Sequence, residues 1–176
     1  LGSRGGRSLG GKALKIGTVA ALGTLAWKAY NEWQAKQSAA PAGVPAPAAL
    51  ARFEQLPAPQ LEQHSTAMLM AMIAAAKADG HMDERERSLV ETELGRLDAD
   101  PGVRQWVEAE LRRPVEPAEV ATAAKTPEMA AEIYLASALV AEQTTTMERA
   151  YLEELAKQLK LDAGLKAALE AKAKAG

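Results

Sequence analysis

An all-α fold, a compact bundle of about seven helices, is predicted by three features of this 176-residue sequence. Ala, Leu, Glu and Lys dominate and favour helices, whereas the aromatic residues that favour strands make up only 4% of the chain. From Pro59 onward, apolar residues recur every three or four positions, as on one face of a helix. The pairs Asp100-Pro101 and Thr126-Pro127 place a capping side chain directly before a proline that suits the first helical position.

The seven helices are assigned from apolar spacing between the capping signals. They are predicted at about 60–78, 84–97, 101–113, 117–125, 127–140, 145–159 and 163–175. The residues expected on their buried faces include Met68, Met72, Ile73, Val90, Trp106, Val107, Ile133, Met147, Tyr151, Leu155, Leu165 and Leu169. Short connections between so many helices indicate a single compact bundle.

Composition divides the chain into four segments. Residues 1–11 form a Gly/Arg-rich tail that we expect to be disordered, and residues 12–37 form an apolar helical stem. Residues 38–57 form a Pro/Ala linker, and residues 58–176 form the helical domain. The chain begins at Leu1 without a Met, which indicates a fragment or a processed form.

Charge is distributed unevenly between the stem and the domain. Residues 1–57 carry seven bases and two acids, whereas residues 58–176 carry fourteen bases and twenty-one acids. An acidic domain argues against nucleic acid as a partner, and a basic stem suits the anionic head groups of lipids. There is no Cys, so disulfides and thiolate metal sites are excluded.

The stem has the features of a membrane-seeking helix. Its uncharged stretch, 16–27, has twelve residues, whereas a spanning helix needs about twenty. The small residues that would let two copies approach closely in lipid are Ala13, Gly17 and Ala21. The aromatic residues that would lie at the lipid–water interface are Trp27, Tyr30 and Trp33. A transmembrane or membrane-embedded segment and an interfacial or partner-packing helix both remain open, as does a homo-oligomer formed through the stem.

Enzyme chemistry has little support in this sequence. Residues 6–12 resemble a P-loop, but Ala13 stands where a Ser or Thr must hold magnesium and no strand precedes them. The two histidines, His64 and His81, are 17 positions apart and are expected at the surface. We therefore expect no catalytic activity.

An acidic turn at 79–83 recurs in weaker form 62 residues later. In this register Asp83 falls on Thr145 and Glu86 falls on Glu148, and each pair has the spacing of a capping box. Glu142 lies in the second turn. The repeat predicts two similar helix–turn–helix units packed about a pseudo-twofold axis.

The segments AAAKADGHMDERERSLV and GTVAALGTLAWKAYNEWQ resemble the YebE-like bacterial inner-membrane proteins of unassigned function. The domain is similar to the TerB-like fold of tellurite-resistance proteins. The resemblance implies a domain tied to the bacterial inner membrane and involved in stress responses. It also implies that a divalent cation, calcium or magnesium, binds at the acidic turns. The positions carried over are Asp79, Asp83, Glu86, Glu142 and Glu148. Helix capping, the favoured interpretation, explains Asp79, Asp83 and Glu86 without a bound ion.

These features favour a non-enzymatic, membrane-associated interaction or sensing module that binds lipid through its stem and an unknown protein partner through its domain. Two alternatives stay open. One is a divalent-metal-binding module that uses the acidic turn, and the other is a soluble helical adaptor whose stem docks on a partner.

Overall fold

The structure, a computed structural model, describes residues 18–38, 55–78, 82, 84–96, 101–114, 116–141 and 145–175. Within these residues it is an all-helical bundle without strands, as predicted. In chain order the helices are α1 Thr18–Ser38, α2 Ala58–Ala76, α3 Glu84–Arg96, α4 Pro101–Arg112, α5 Pro117–Thr122, α6 Pro127–Val140, α7 Thr146–Gln158 and α8 Ala163–Ala175. The last seven match the predicted helices closely, because capping residues and prolines near their ends set their limits.

Two helix starts confirm the predicted caps. The Thr126 hydroxyl accepts the Met129 amide at 3.1 Å, and Pro127 occupies the first turn of α6. At α7, the Thr145 hydroxyl accepts the Glu148 amide, while the Glu148 carboxylate accepts the Thr145 amide, both at 3.1 Å. This reciprocal pair is the capping box that the spacing predicted.

Helix α6 is the centre of the bundle, with α1, α2, α5, α7 and α8 packed against it. It is buried on nearly every side, and its sequence is correspondingly apolar all round rather than striped. Met68 and Met72 of α2 and Ile133 of α6 are fully buried in the main core, as predicted. A smaller cluster of Leu69, Ile73, Val90 and Val107 joins α2 to α3 and α4.

Helix α1 lies against this bundle and shares its core. Leu22, Ala26, Trp27 and Ala29 are buried in the same cluster as α6 and α8 residues. None of the helices described combines the length and the apolar character needed to cross a bilayer. Residues 12–17 of the predicted stem and 39–54 of the predicted linker lie outside the described part of the chain.

The face of α7 that packs inward differs from the prediction at one position. Met147 was predicted in the core, but it is 55% exposed. The neighbouring Glu148 side chain is buried in its place, because the capping box turns it back toward the start of the helix. The prediction for Met147 was therefore wrong, whereas Tyr151 and Leu155 are buried as expected.

Replacing Thr145 with Ala should lower the free energy of unfolding by about 1 kcal/mol, because the Glu148 amide loses its acceptor. The exposed neighbour Thr146 provides the control. Its replacement with Ala should change stability by less than about 0.5 kcal/mol. Urea denaturation measures both values, and equal losses would contradict the cap.

Candidate functional site

Three side chains from three helices form a buried polar cluster inside the apolar core. The Trp27 indole of α1 donates from Nε1 to Glu132 Oε1 of α6 at 2.5 Å. His64 of α2 places Nδ1 at 2.7 Å from Glu132 Oε2 and 2.9 Å from Oε1. Glu132 is 0% exposed, and both partners are buried. We call Trp27, His64 and Glu132 the acid cluster.

The position of Glu132 on the central helix explains why the cluster forms. Because α6 is enclosed on almost every side, the Glu132 carboxyl cannot reach solvent. A buried carboxyl without hydrogen-bonding partners would cost several kcal/mol. Trp27 and His64 supply those partners from the helices on either side, so the carboxyl joins α1 and α2 to α6.

Burial raises the pKa of the Glu132 carboxyl above its ordinary range, because a desolvated carboxylate loses its hydration. The hydrogen bonds from His64 and Trp27 oppose this rise, and the nearby Glu128 adds to it. The cluster thus favours the protonated form of Glu132 more than water does.

The prediction that His64 lies at the surface was wrong, since only 7% of it is exposed. His64 is buried because Glu132, 68 positions later, offers a hydrogen-bonding partner inside the core. Trp27 was predicted at a lipid interface, whereas in the structure its indole is bonded to Glu132. A single acid within the apolar run 129–140 was the available signal for the acid cluster.

An open groove of about 560 Å³ lies on the surface where α1 meets the rest of the bundle. Its aromatic wall is formed by Tyr30 and Trp33, whose ring centroids are 5.8 Å apart. The remaining lining residues are Ala121, Ala124, Lys125, Thr126, Pro127, Ala130, Gln158, Leu159, Lys160, Leu161, Asp162 and Leu165. We call this surface the aromatic groove.

Trp33 is fixed in the wall by contacts with the start of α8. Its Nε1 donates to Asp162 Oδ1 at 3.0 Å, and the same oxygen accepts the Gly164 amide at 2.8 Å. A Cβ at Gly164 would stand 3.0 Å from that oxygen and 3.6 Å from the indole. Glycine therefore leaves room for the close approach of Trp33.

Lys160 reaches the groove from an unusual backbone conformation. It ends α7 with a φ of 56°, in the left-handed region that usually belongs to glycine. The Leu161 amide bonds to Ala156 O and the Lys160 amide bonds to Lys157 O, both at 3.0 Å, which is a Schellman ending. A lysine therefore stands where glycine would be less strained.

The structure describes few of the predicted metal ligands. Asp79, Asp83 and Glu142 lie outside the described residues, as does the side chain of Glu86. The Glu148 carboxylate already accepts the Thr145 amide in the capping box. Among the residues that the structure does describe, no group of three or more potential His, Asp or Glu ligands comes together. A divalent-cation site at the acidic turn stays a prediction.

The predicted surface for self-association is described in part. Ala13 and Gly17 lie outside the described residues, and Ala21 is half-buried on α1. Self-association of the stem therefore stays a prediction. Tyr30 and Trp33, predicted to lie at a lipid interface, form the groove wall in this structure.

The fold and its acid cluster define a small all-α bundle protein in which an N-terminal helix is docked through a buried carboxyl. The chain belongs to the family described as "Protein of unknown function (DUF533)", which it matches over residues 1–173. It is also similar to the "Uncharacterized protein in ampR 5'region" of Yersinia enterocolitica. The two are 29% identical over 110 residues, which cover 62% of this chain and 79% of that protein. No solved structure matches the chain.

Replacing Trp27 with Phe should lower the free energy of unfolding by about 2 kcal/mol, because Glu132 loses a buried donor and the core loses part of a ring. Trp33→Phe is the matched control, since it removes an indole donor from the exposed carboxylate of Asp162. Its cost should stay below about 1 kcal/mol. Urea denaturation compares the two, and equal costs would show that the acid cluster contributes no special stability.

Proposed function

We propose that this protein is a non-enzymatic interaction module, and that its aromatic groove binds a short peptide segment of a partner protein. The partner segment is acidic and carries an apolar anchor. The observation that carries this proposal is the groove itself, which is lined by two aromatic rings and two lysines.

The size and lining of the groove suit a peptide with an apolar side chain. A volume of about 560 Å³ falls within the range of ligand sites in proteins. Tyr30 and Trp33 supply rigid apolar surface, and they carry polar atoms that can bond a peptide backbone. Leu159, Leu161 and Leu165 supply the apolar surroundings for an anchoring side chain.

The charged side chains that line the groove favour an acidic partner segment. The domain as a whole is acidic, with fourteen bases and twenty-one acids in residues 58–176. The groove departs from this, because Lys125 and Lys160 are among its described lining residues, and the one acid among them, Asp162, is already bonded to Trp33 and Gly164. A positive patch on a negative domain attracts and orients an acidic segment.

The backbone at Lys160 supports a functional role for its side chain. A left-handed conformation costs a non-glycine residue roughly 1–2 kcal/mol. Strain of this kind commonly occurs where a particular side chain is needed for binding. The lysine at this position, with its φ of 56°, therefore supports recognition of an anion at the groove.

The acid cluster supports an interaction role over catalysis. Glu132 and His64 are the type of pair that performs acid–base chemistry. In this structure Glu132 is fully buried beneath Trp27, so a substrate has no path to the carboxyl. We therefore assign the pair to holding helices together.

A display library of short random peptides, selected on the full chain, should enrich peptides that combine acidic and large apolar residues. The charge-reversed variant Lys125→Glu/Lys160→Glu should bind the selected peptides about tenfold more weakly, by fluorescence polarisation. The matched control is Lys172→Glu/Lys174→Glu, which reverses two charges on α8 outside the groove. Its affinity should stay near that of the wild type.

Lys160→Gly separates binding from stability in the same assay. Glycine relieves the left-handed backbone, so the variant should be more stable by about 1 kcal/mol and yet bind the peptides more weakly. Enrichment of basic peptides, or equal weakening by the α8 control, would contradict the proposal.

A second candidate function places this module at the bacterial inner membrane. Residues 1–15 contain four bases, Arg4, Arg7, Lys12 and Lys15, and no acid. Clusters of bases beside an apolar helix bind anionic lipid surfaces. The resemblance to YebE-like and TerB-like proteins, carried by residues 78–86, supports this location and a role in sensing stress.

Vesicles that contain phosphatidylglycerol should bind the full chain, whereas vesicles of phosphatidylcholine alone should not. Arg4→Ser/Arg7→Ser should weaken binding roughly thirtyfold, at about 1 kcal/mol for each base. The control Lys172→Ser/Lys174→Ser removes the same charge from α8. Cosedimentation measures all three proteins, and equal weakening by both variants would remove the assignment to the N-terminal segment.

A further inference from the structure

We propose that α1 docks on the bundle in a proton-dependent manner: it is held while Glu132 carries a proton and is released as Glu132 ionises. The juxtaposition that carries this inference is Trp27 of α1 on the carboxyl of Glu132, with His64 on its other side. The proposal concerns how the fold is regulated, and it holds whether or not the aromatic groove binds a peptide.

The Trp27–Glu132 hydrogen bond lies inside the apolar contact between α1 and the bundle. Leu22, Ala26 and Ala29 are buried along with Trp27. When α1 leaves, the indole donor leaves with it, and the Glu132 carboxyl is no longer covered from that side. Docking of α1 therefore completes the burial of this ionisable group.

The sign of the pH dependence follows from this burial. The docked protein favours protonated Glu132, because burial raises the pKa of that carboxyl above its value in water. A state that holds a proton more tightly is favoured as pH falls. This contribution to docking is thus complete below the ordinary pKa of glutamate and is lost as pH rises through the raised pKa of Glu132.

Among the residues that the structure describes, two titratable groups face Glu132. His64 approaches from α2 and Glu128 lies one turn earlier on α6, while α1 presents the Trp27 indole, which does not titrate in this range. The hydrogen bond from His64 favours the carboxylate, and the charge of Glu128 disfavours it. Burial is the largest effect and outweighs the opposing interactions with His64 and Trp27, while Glu128 adds to the rise, so the pKa of Glu132 remains raised.

Release of α1 would change two surfaces at once. It would uncover the apolar side chains of Leu22, Ala26 and Ala29 for a partner or a lipid surface. It would also remove Tyr30 and Trp33 from the wall of the aromatic groove. Only this second consequence depends on the peptide-binding function proposed above.

Amide hydrogen exchange on the full chain tests the proposal, because it detects opening even when the released state is rare. Across about pH 4 to 7, rates corrected for intrinsic exchange give the opening equilibrium of α1. In the wild type, α1 protection should fall with rising pH by up to about tenfold per pH unit, the limit for one linked proton. Amides at the centre of α6 report global unfolding and serve as the internal reference.

Two variants identify the responsible group. Glu132→Gln keeps an acceptor for Trp27 and cannot ionise, so its α1 protection should not change with pH. Glu128→Gln removes a neighbouring acid that adds to the raised pKa of Glu132, so the pH response should persist with its midpoint at a somewhat lower pH. Wild-type α1 protection that is independent of pH would overturn the proposal. A response that persists in Glu132→Gln would also overturn it.

A direct titration keeps the proposal testable if Glu132→Gln does not fold. Carbon-13 NMR of the glutamate side chains in the wild type gives the midpoint of ionisation of Glu132. We expect that midpoint above the ordinary range of glutamate, and an ordinary midpoint would overturn the proposal.

Discussion

Glu132 imposes the constraint on which the arrangement of the bundle depends. A carboxyl in the middle of the most enclosed helix must be given hydrogen-bonding partners, since an unpartnered one would cost several kcal/mol. The core meets this requirement with Trp27 from α1 and His64 from α2. The pairing also constrains the relative positions of the three helices, because Trp27 and His64 must both reach the same carboxyl. Apolar packing by Leu22, Ala26 and Met68 could tolerate small shifts, whereas the hydrogen bonds could not.

The same constraint determines where a binding surface can exist. Once Trp27 is held on Glu132, Tyr30 and Trp33 lie further along α1 and face the end of α7 and the start of α8. Gly164 lets the Trp33 indole approach closely, and Asp162 fixes its orientation. The groove is therefore built from residues distant in sequence, and it exists only while α1 is docked. Assembly of the groove and docking of α1 are thus one event, which would let a single change at Glu132 control both.

Local sequence signals predicted the helices of the bundle well. Thr126-Pro127 and the Thr145–Glu148 capping box mark the starts of α6 and α7, because capping depends only on residues within one turn. Side-chain environments were harder to predict. Met147 fits an apolar spacing but lies outside, and His64 looks like a surface residue but lies inside. For His64 the deciding partner is the Glu132 carboxyl, 68 positions away, whose position depends on folding. For Met147 it is the neighbouring Glu148, whose carboxylate is turned inward by its capping bond to Thr145.

The sequence by itself determined the all-α class, the helix limits and the uneven distribution of charge, because each follows from composition or from contacts within a few residues. The tertiary structure decided that α1 packs on the bundle and that Trp27, His64 and Glu132 meet. It also decided that Lys160 adopts a left-handed backbone beside two aromatic rings. These features join residues up to 129 positions apart, as in the Trp33–Asp162 bond. The spacing of residues within one helix does not predict such pairings, since they depend on how the helices pack around α6.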